Sequence, residues 1–142
     1  MRNLLDVNVL IALLDSDHAH HHRARQWLSE HIGQGWASCP LTQNGCIRIM
    51  AQPGYPHPFA AGEVAARLAE AGCGHHHQFW PDAVSLLDSG QIDWQAVLGA
   101  RQLTDVYLVA LAVANGGRFV TFDRVVPLSA VAGARGEHLV VV

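Results

Sequence analysis

Three aspartates stand where an ionised side chain needs an explanation. Asp6 interrupts the apolar run from Leu4 to Leu10, Asp105 lies at the start of the apolar stretch Val106-Tyr107-Leu108, and Asp123 closes Phe119-Val120-Thr121-Phe122. A carboxylate among apolar neighbours is costly unless it is paired, hydrogen-bonded or bound to a cation. Each has a modest role when taken singly. Asp6 or Asn8 can cap a following helix, Asp105 can sit in a first helical turn where negative charge favours the dipole, and Asp123 can begin a turn. Taken together they suggest chemistry, because carboxylates converging on one crevice repel unless a cation sits among them. Oxygen ligands completed by water and substrate phosphate suit Mg²⁺ or Mn²⁺. Such a site activates water and offsets charge on a phosphodiester during in-line displacement.

The elements that must position these residues alternate between strand and helix. The opening NLLDVNVLIALL reads as a short buried strand ending near Asp6, followed directly by a helix. Residues 18–31 read as a helix with Ala19, Ala24, Trp27 and Leu28 on one face. Residues 35–39 form a second strand, and Leu41-Thr42-Gln43-Asn44 opens the next helix. The Pro/Gly-rich residues 51–62 read as a loop between two helices, with residues 63–71 helical and stopped by Gly72. Phe79-Trp80 and residues 84–87 are short and ambiguous. Residues 104–115 form the best-signalled helix, with Thr104 as its N-cap and Asn115-Gly116-Gly117 as its end. Residues 118–122 are a strand ending on Asp123, and residues 138–142 a last strand. This alternation predicts an α/β fold: one domain over residues 1–142, with a central, mainly parallel sheet and helices on both faces. The functional crevice of such sheets lies beyond the carboxyl ends of the strands, where Asp6 and Asp123 fall.

Composition narrows the chemistry further. The chain has 142 residues, 50% hydrophobic and 15% charged, which suits a single core. Its nine basic residues are all Arg, and the absence of Lys excludes a P-loop and Schiff-base catalysis and disfavours receiver-type domains. Twelve acidic residues give a net charge of -3, so a nucleic-acid substrate would need a bound metal to supply positive charge. The three cysteines form no CxxC pair, which argues against a disulfide framework or a zinc ribbon. The apolar N-terminal run, broken by Asp6 and Asn8, is a poor signal peptide, and no stretch reaches the length of a membrane span. A cytoplasmic protein without a membrane partner is the expectation.

Among the histidines, His18 and His22 are spaced as a helical metal pair would be, but Ala19 stands where the zinc signature needs Glu. A solvated helix start is the better reading for His18, His20, His21 and His22, and His75-His76-His77 is assigned no metal. Arg48 is a candidate for contacting substrate phosphate. Arg101 and Arg124 read as surface charges.

The segments LLDVNVLIALL, CPLTQNGCIRI, LTDVYLVALAVANGG and FVTFD resemble, in order, the four motifs of PIN domains, and closely those of VapC-type toxins from bacterial VapBC toxin–antitoxin pairs. The resemblance runs from residue 2 to about residue 142. It implies a doubly wound α/β nuclease core and a Mg²⁺- or Mn²⁺-dependent endoribonuclease, with RNA as substrate and a cognate antitoxin as inhibitor. It makes Asp6, Asp105 and Asp123 the metal-holding and catalytic positions. Asn8 becomes the supporting polar group of the first motif, the acidic position of the second motif falls on Gln43, and Thr121 precedes Asp123. Asn8, Gln43 and Thr121 would orient ligands or water from behind the carboxylates. Gln43 departs from the pattern, since an amide keeps an oxygen ligand but loses the charge and cannot act as a base. That departure keeps a second reading open, a PIN-like module that binds RNA or protein without turnover. A small metal-dependent phosphatase is weaker, because Asn8 replaces the second Asp of its DxD motif. The apolar excess of so short a chain suggests a homodimer.

Overall fold

The apolar runs pair into one five-stranded sheet in the computed structural model, which describes residues 1–142. β1 (Asn3–Leu5) lies at its centre, between β2 (Trp36–Ser38) and β4 (Arg118–Thr121). β3 (His77–Phe79) adds beyond β2 and β5 (Leu139–Val141) beyond β4. Every pairing is parallel, with Leu5 opposite Val120 and Leu4 opposite Ala37. All strands therefore deliver their carboxyl ends to the same edge.

Side chains alternate across the sheet, so Leu4, Ala37 and Phe119 join one core while Leu5, Trp36 and Val120 join another. Burial on both faces is why the strands read as continuous apolar runs. The first core is closed by α5 (Leu103–Ala114), which buries every residue from Val106 to Ala112. The second is closed by α1 (Val7–Leu14), α2 (His21–His31), α3 (Pro40–Ala51) and α4 (Ala61–Ala71). No helix is long and apolar enough to cross a membrane.

Two local details set the geometry of the sheet's carboxyl edge. A Cβ built on Gly45 of α3 would lie 2.8 Å from Val7 Cγ2, so α3 approaches α1 closely only because that position has no side chain. The contact fixes which residues of α3 turn toward the end of β1. At the other side, Gly116 (φ 63°) ends α5 in the left-handed region, and the Gly117 N–H donates to Ala112 O at 2.8 Å.

The structure corrects several expectations from sequence. α2 begins at His21, after a turn, so His18 and His22 do not share a helix face. His21 is buried, with Nδ1 2.7 Å from Ala12 O, a structural role within the α1–α2 connection. Thr104 is not an N-cap: a short 3-10 turn (Ala100–Gln102) runs into α5, and Gln102 occupies the cap without a side-chain hydrogen bond. Residues 84–87 belong to a long irregular segment between β3 and α5.

Candidate active site

Asp6 follows the last residue of β1 and caps α1. Its backbone N–H donates to Val120 O at 2.9 Å, continuing the sheet. Its carboxylate is clamped from two sides: Oδ1 accepts the Val7 N–H at 2.7 Å, and Oδ2 accepts the Thr121 hydroxyl at 2.6 Å. Thr121 ends β4 in full burial. Its oxygen also accepts the Asp123 N–H at 3.1 Å, while Asp123 Oδ1 accepts the Val125 N–H at 2.8 Å. Asp105 enters from the opposite wall, in the first turn of α5. The helix-capping role foreseen for Asp6 therefore holds, and it coexists with a place in the cleft.

Asp6, Asp105 and Asp123 line one cleft of about 670 Å³ at the carboxyl edge of the sheet, and Asn8 and Arg48 line it with them. Burial is the larger cause that raises the Asp105 carboxyl to about 7, followed by the negative charges of Asp6 and then Asp123. Asp6 is raised chiefly by burial and also by Asp123, against the opposing hydrogen bonds from Thr121 and Val7. The one ion pair in the chain, Arg67 with Glu63, belongs to α4. The cleft carboxylates thus face one another without a guanidinium paired to them, and a cation would relieve the repulsion.

The donor set indicates which cation fits. The polar lining consists of carboxylates, amides, a threonine hydroxyl and guanidiniums, with no His or Cys, and all-oxygen donors suit Mg²⁺ or Mn²⁺ over softer ions. No three His, Cys, Asp or Glu side chains close into a ready cage. An ion that keeps several waters and takes oxygens from substrate phosphate does not require one.

Gln43 is not in this cleft. Its Nε2 donates to Ser38 Oγ at 3.0 Å, and Ser38 Oγ lies 2.8 Å from His77 Nε2, in a separate cavity of about 330 Å³. The reason is helical phase. With Gly45 seated on Val7, Asn44 and Arg48 face the cleft one turn apart, whereas Gln43 and Ile47 face the other cavity. The i, i+4 pairing of Asn44 with Arg48 is the signal that would have identified Asn44 as the cleft residue of this helix. Asp82, Arg101 and Thr104 also line the cleft. Thr104 was legible only as a cap, and Asp82 lies in an irregular segment with no period to reveal it. A third cavity, about 440 Å³, is lined mainly by aliphatic side chains of α1, α2 and α4 and carries no carboxylate.

The PIN domain family model matches residues 4–133. The chain is 52% identical over 139 residues to ribonuclease VapC44 of Mycobacterium tuberculosis, covering 98% of both proteins. It is 42% identical over 138 residues to ribonuclease VapC39 of the same organism, covering 94% of this chain and 96% of that one. Among solved structures it is similar in fold to M. tuberculosis VapC20, described as a sarcin–ricin loop cleaving toxin, with a TM-score of 0.57, 12% identity and coverage of 82% and 85%. It is also similar to VapBC2 of Rickettsia felis bound to a promoter DNA fragment, with a TM-score of 0.54, 10% identity and coverage of 87% and 89%.

Proposed function

The chain belongs to the PIN domain family, among its VapC ribonucleases, and on that footing we propose that its acidic cleft cleaves RNA phosphodiester bonds with the help of a divalent cation. The observation that carries this reading is the convergence of Asp6, Asp105 and Asp123 on one cleft at the carboxyl edge of the sheet, close enough that the charges of Asp6 and Asp123 add to burial in raising the Asp105 carboxyl. Three separate segments bring negative charge to one place, where a cation lowers the cost.

Asp6, Asp105 and Asp123 would hold Mg²⁺ or Mn²⁺. When bound, such an ion supplies activation of water and neutralisation of charge on the phosphate. Thr121 holds Asp6 in one orientation and ties the Asp123 backbone to it. The amide oxygens of Asn8 and Asn44 are available to orient water beside the carboxylates. Arg48, and with it Arg101, lines the cleft and reaches substrate phosphate as a bidentate donor.

As the toxin of a type II toxin–antitoxin pair, the protein is held inactive by a cognate antitoxin and acts in the cytoplasm, as a homodimer. Co-purification with a small antitoxin encoded beside it, loss of cleavage in the complex and a dimeric mass by light scattering are the expected results. For the activity itself, the purified chain with Mn²⁺ is expected to cut at least one RNA in a panel of tRNA and ribosomal RNA. EDTA or Asp6→Asn should lower the rate at least about a hundredfold, the scale of losing one preorganised electrostatic partner. Unchanged cleavage by Asp6→Asn would remove the metal site from the reaction. RNA binding without cleavage across the panel would replace the nuclease with a binding module.

A further inference from the structure

We propose that Arg23, resting on the ring of Phe122, grips a phosphate of the RNA strand on the β4 side of the cleft, and that Phe122 is its positioning residue. The inference rests on the ribonuclease reading above and extends the substrate site beyond the aspartates. Phe122 stands between Thr121, which holds Asp6, and Asp123, which lines the cleft. Its ring is half-buried against the second core. The central carbon of the Arg23 guanidinium lies 5.2 Å from the centre of that ring, and the His20 ring lies 4.9 Å from it, tilted by 44°. Arg23 itself is exposed. A guanidinium on an aromatic face is steadied through its plane, while the N–H groups along its edge stay free to donate.

The surroundings leave this charge unanswered. The chain's one ion pair joins Arg67 to Glu63, so no carboxylate pairs with Arg23. Of the two acids in the turn before α2, Asp15 accepts the Tyr55 hydroxyl and the Asp17 N–H, and neither Asp15 nor Asp17 reaches Arg23. Arg23 also sits in the first turn of α2, which holds no acidic residue and has no side-chain cap. A cation at the positive end of a helix dipole is unfavourable, and an anion held beside it relieves the conflict.

The position of the pair selects the anion. Arg48 and Arg101 line the cleft from α3 and from the turn before α5, so a strand crossing the aspartates meets guanidiniums on those sides and Arg23 beside β4. With a net charge of -3, bulk attraction does not hold RNA to this chain, and individually placed guanidiniums must do so. Phosphate oxygens match the two parallel N–H groups of a fixed guanidinium edge.

The test is anisotropy of a short, fluorescein-labelled, mixed-sequence single-stranded RNA titrated with the full-length chain across a range of salt concentrations, in EDTA to stop cleavage, with thermal midpoints alongside. Arg23→Gln is expected to weaken binding about 10-fold, the lower end for a hydrogen bond to a charged group. It should also flatten the dependence of log affinity on log salt by about 0.7 to 1, the signature of one lost phosphate contact. Arg23→Lys should restore the salt dependence without the full affinity. Phe122→Leu should weaken binding about 2- to 5-fold, the scale of a lost cation–π contact, and flatten the salt dependence in part. A phenylalanine that only packs the core would shift the midpoint alone, which would overturn its positioning role. Arg135→Gln, which removes the same charge ahead of β5, should bind as wild type does, and an equal loss there would reduce Arg23 to bulk charge and overturn the proposal. Unchanged RNA binding and salt dependence in Arg23→Gln, with Mn²⁺-dependent cleavage by the wild type intact, would overturn the phosphate contact and leave the ribonuclease reading standing. A wild type that neither binds nor cuts RNA would overturn both.

Discussion

The Thr121 hydroxyl donates to Asp6 Oδ2 at 2.6 Å, joining residues 115 apart in sequence. The same oxygen accepts the Asp123 N–H, so one buried hydroxyl links the end of β4, the cap of α1 and the loop that carries the third aspartate. Thr121→Val keeps the shape and removes both bonds. It should cost about 1–3 kcal/mol of stability, the scale of an unsatisfied buried acceptor, and weaken Mn²⁺ binding about 10- to 100-fold. Thr121→Ser should restore most of each. Urea denaturation and Mn²⁺ titration of the three proteins check this, and a Thr121→Val protein that binds Mn²⁺ normally would show that the link is structural only.

The phase of α3 separates two neighbouring residues that the sequence presents as alternatives. Asn44→Asp adds a carboxylate to the cleft and should tighten Mn²⁺ binding while lowering stability in EDTA above neutral pH. Gln43→Glu puts its charge beside Ser38 in the other cavity and should leave Mn²⁺ binding unchanged. The reverse outcome would mean that α3 presents Gln43 to the metal. Parallel calorimetric titrations of the two variants distinguish these results.

The contrast between those residues also shows what was legible in the chain. Asp6, Asp105 and Asp123 could be found because each stands out against the apolar strand or helix that carries it, and parallel strands send their ends to one edge. The five helices and four of the five strands followed from the same runs and their Gly and Pro punctuation, whereas β3 (His77–Phe79) falls on a segment too short and polar to read as a strand. Gln43 was misplaced because a helix reveals its period but not its rotation, and the rotation of α3 is set by Gly45 against Val7, a contact between segments far apart in sequence. Asp82 was invisible for a different reason. Its segment is irregular and has no period from which its place at the cleft could be read.

Asp105 gives the cation-free protein a defined pH dependence. Its carboxyl is raised from 3.8 to about 7 in the folded chain, so the folded state keeps a proton that the unfolded state has already released. Its contribution to stability is full below about pH 3.8 and falls as pH rises, being lost by about pH 7. In EDTA the thermal midpoint should therefore decline from pH 5 toward pH 8 through this group. Added Mn²⁺ should raise the midpoint more at pH 8 than at pH 5, because at the lower pH the ion must displace the proton. Asp105→Asn should flatten both trends. Midpoints that rise with pH in EDTA, or a Mn²⁺ effect equal at both values, would contradict the assignment.

The most direct measurement is anomalous diffraction from crystals of the chain soaked in Mn²⁺, recorded at a wavelength where the ion scatters anomalously. A peak is expected in the cleft, within coordination distance of carboxylate oxygens from Asp6, Asp105 and Asp123, and it should disappear in crystals of Asp105→Asn. A cleft without a peak at saturating Mn²⁺, or a peak confined to the histidines at 18–22, would contradict the account.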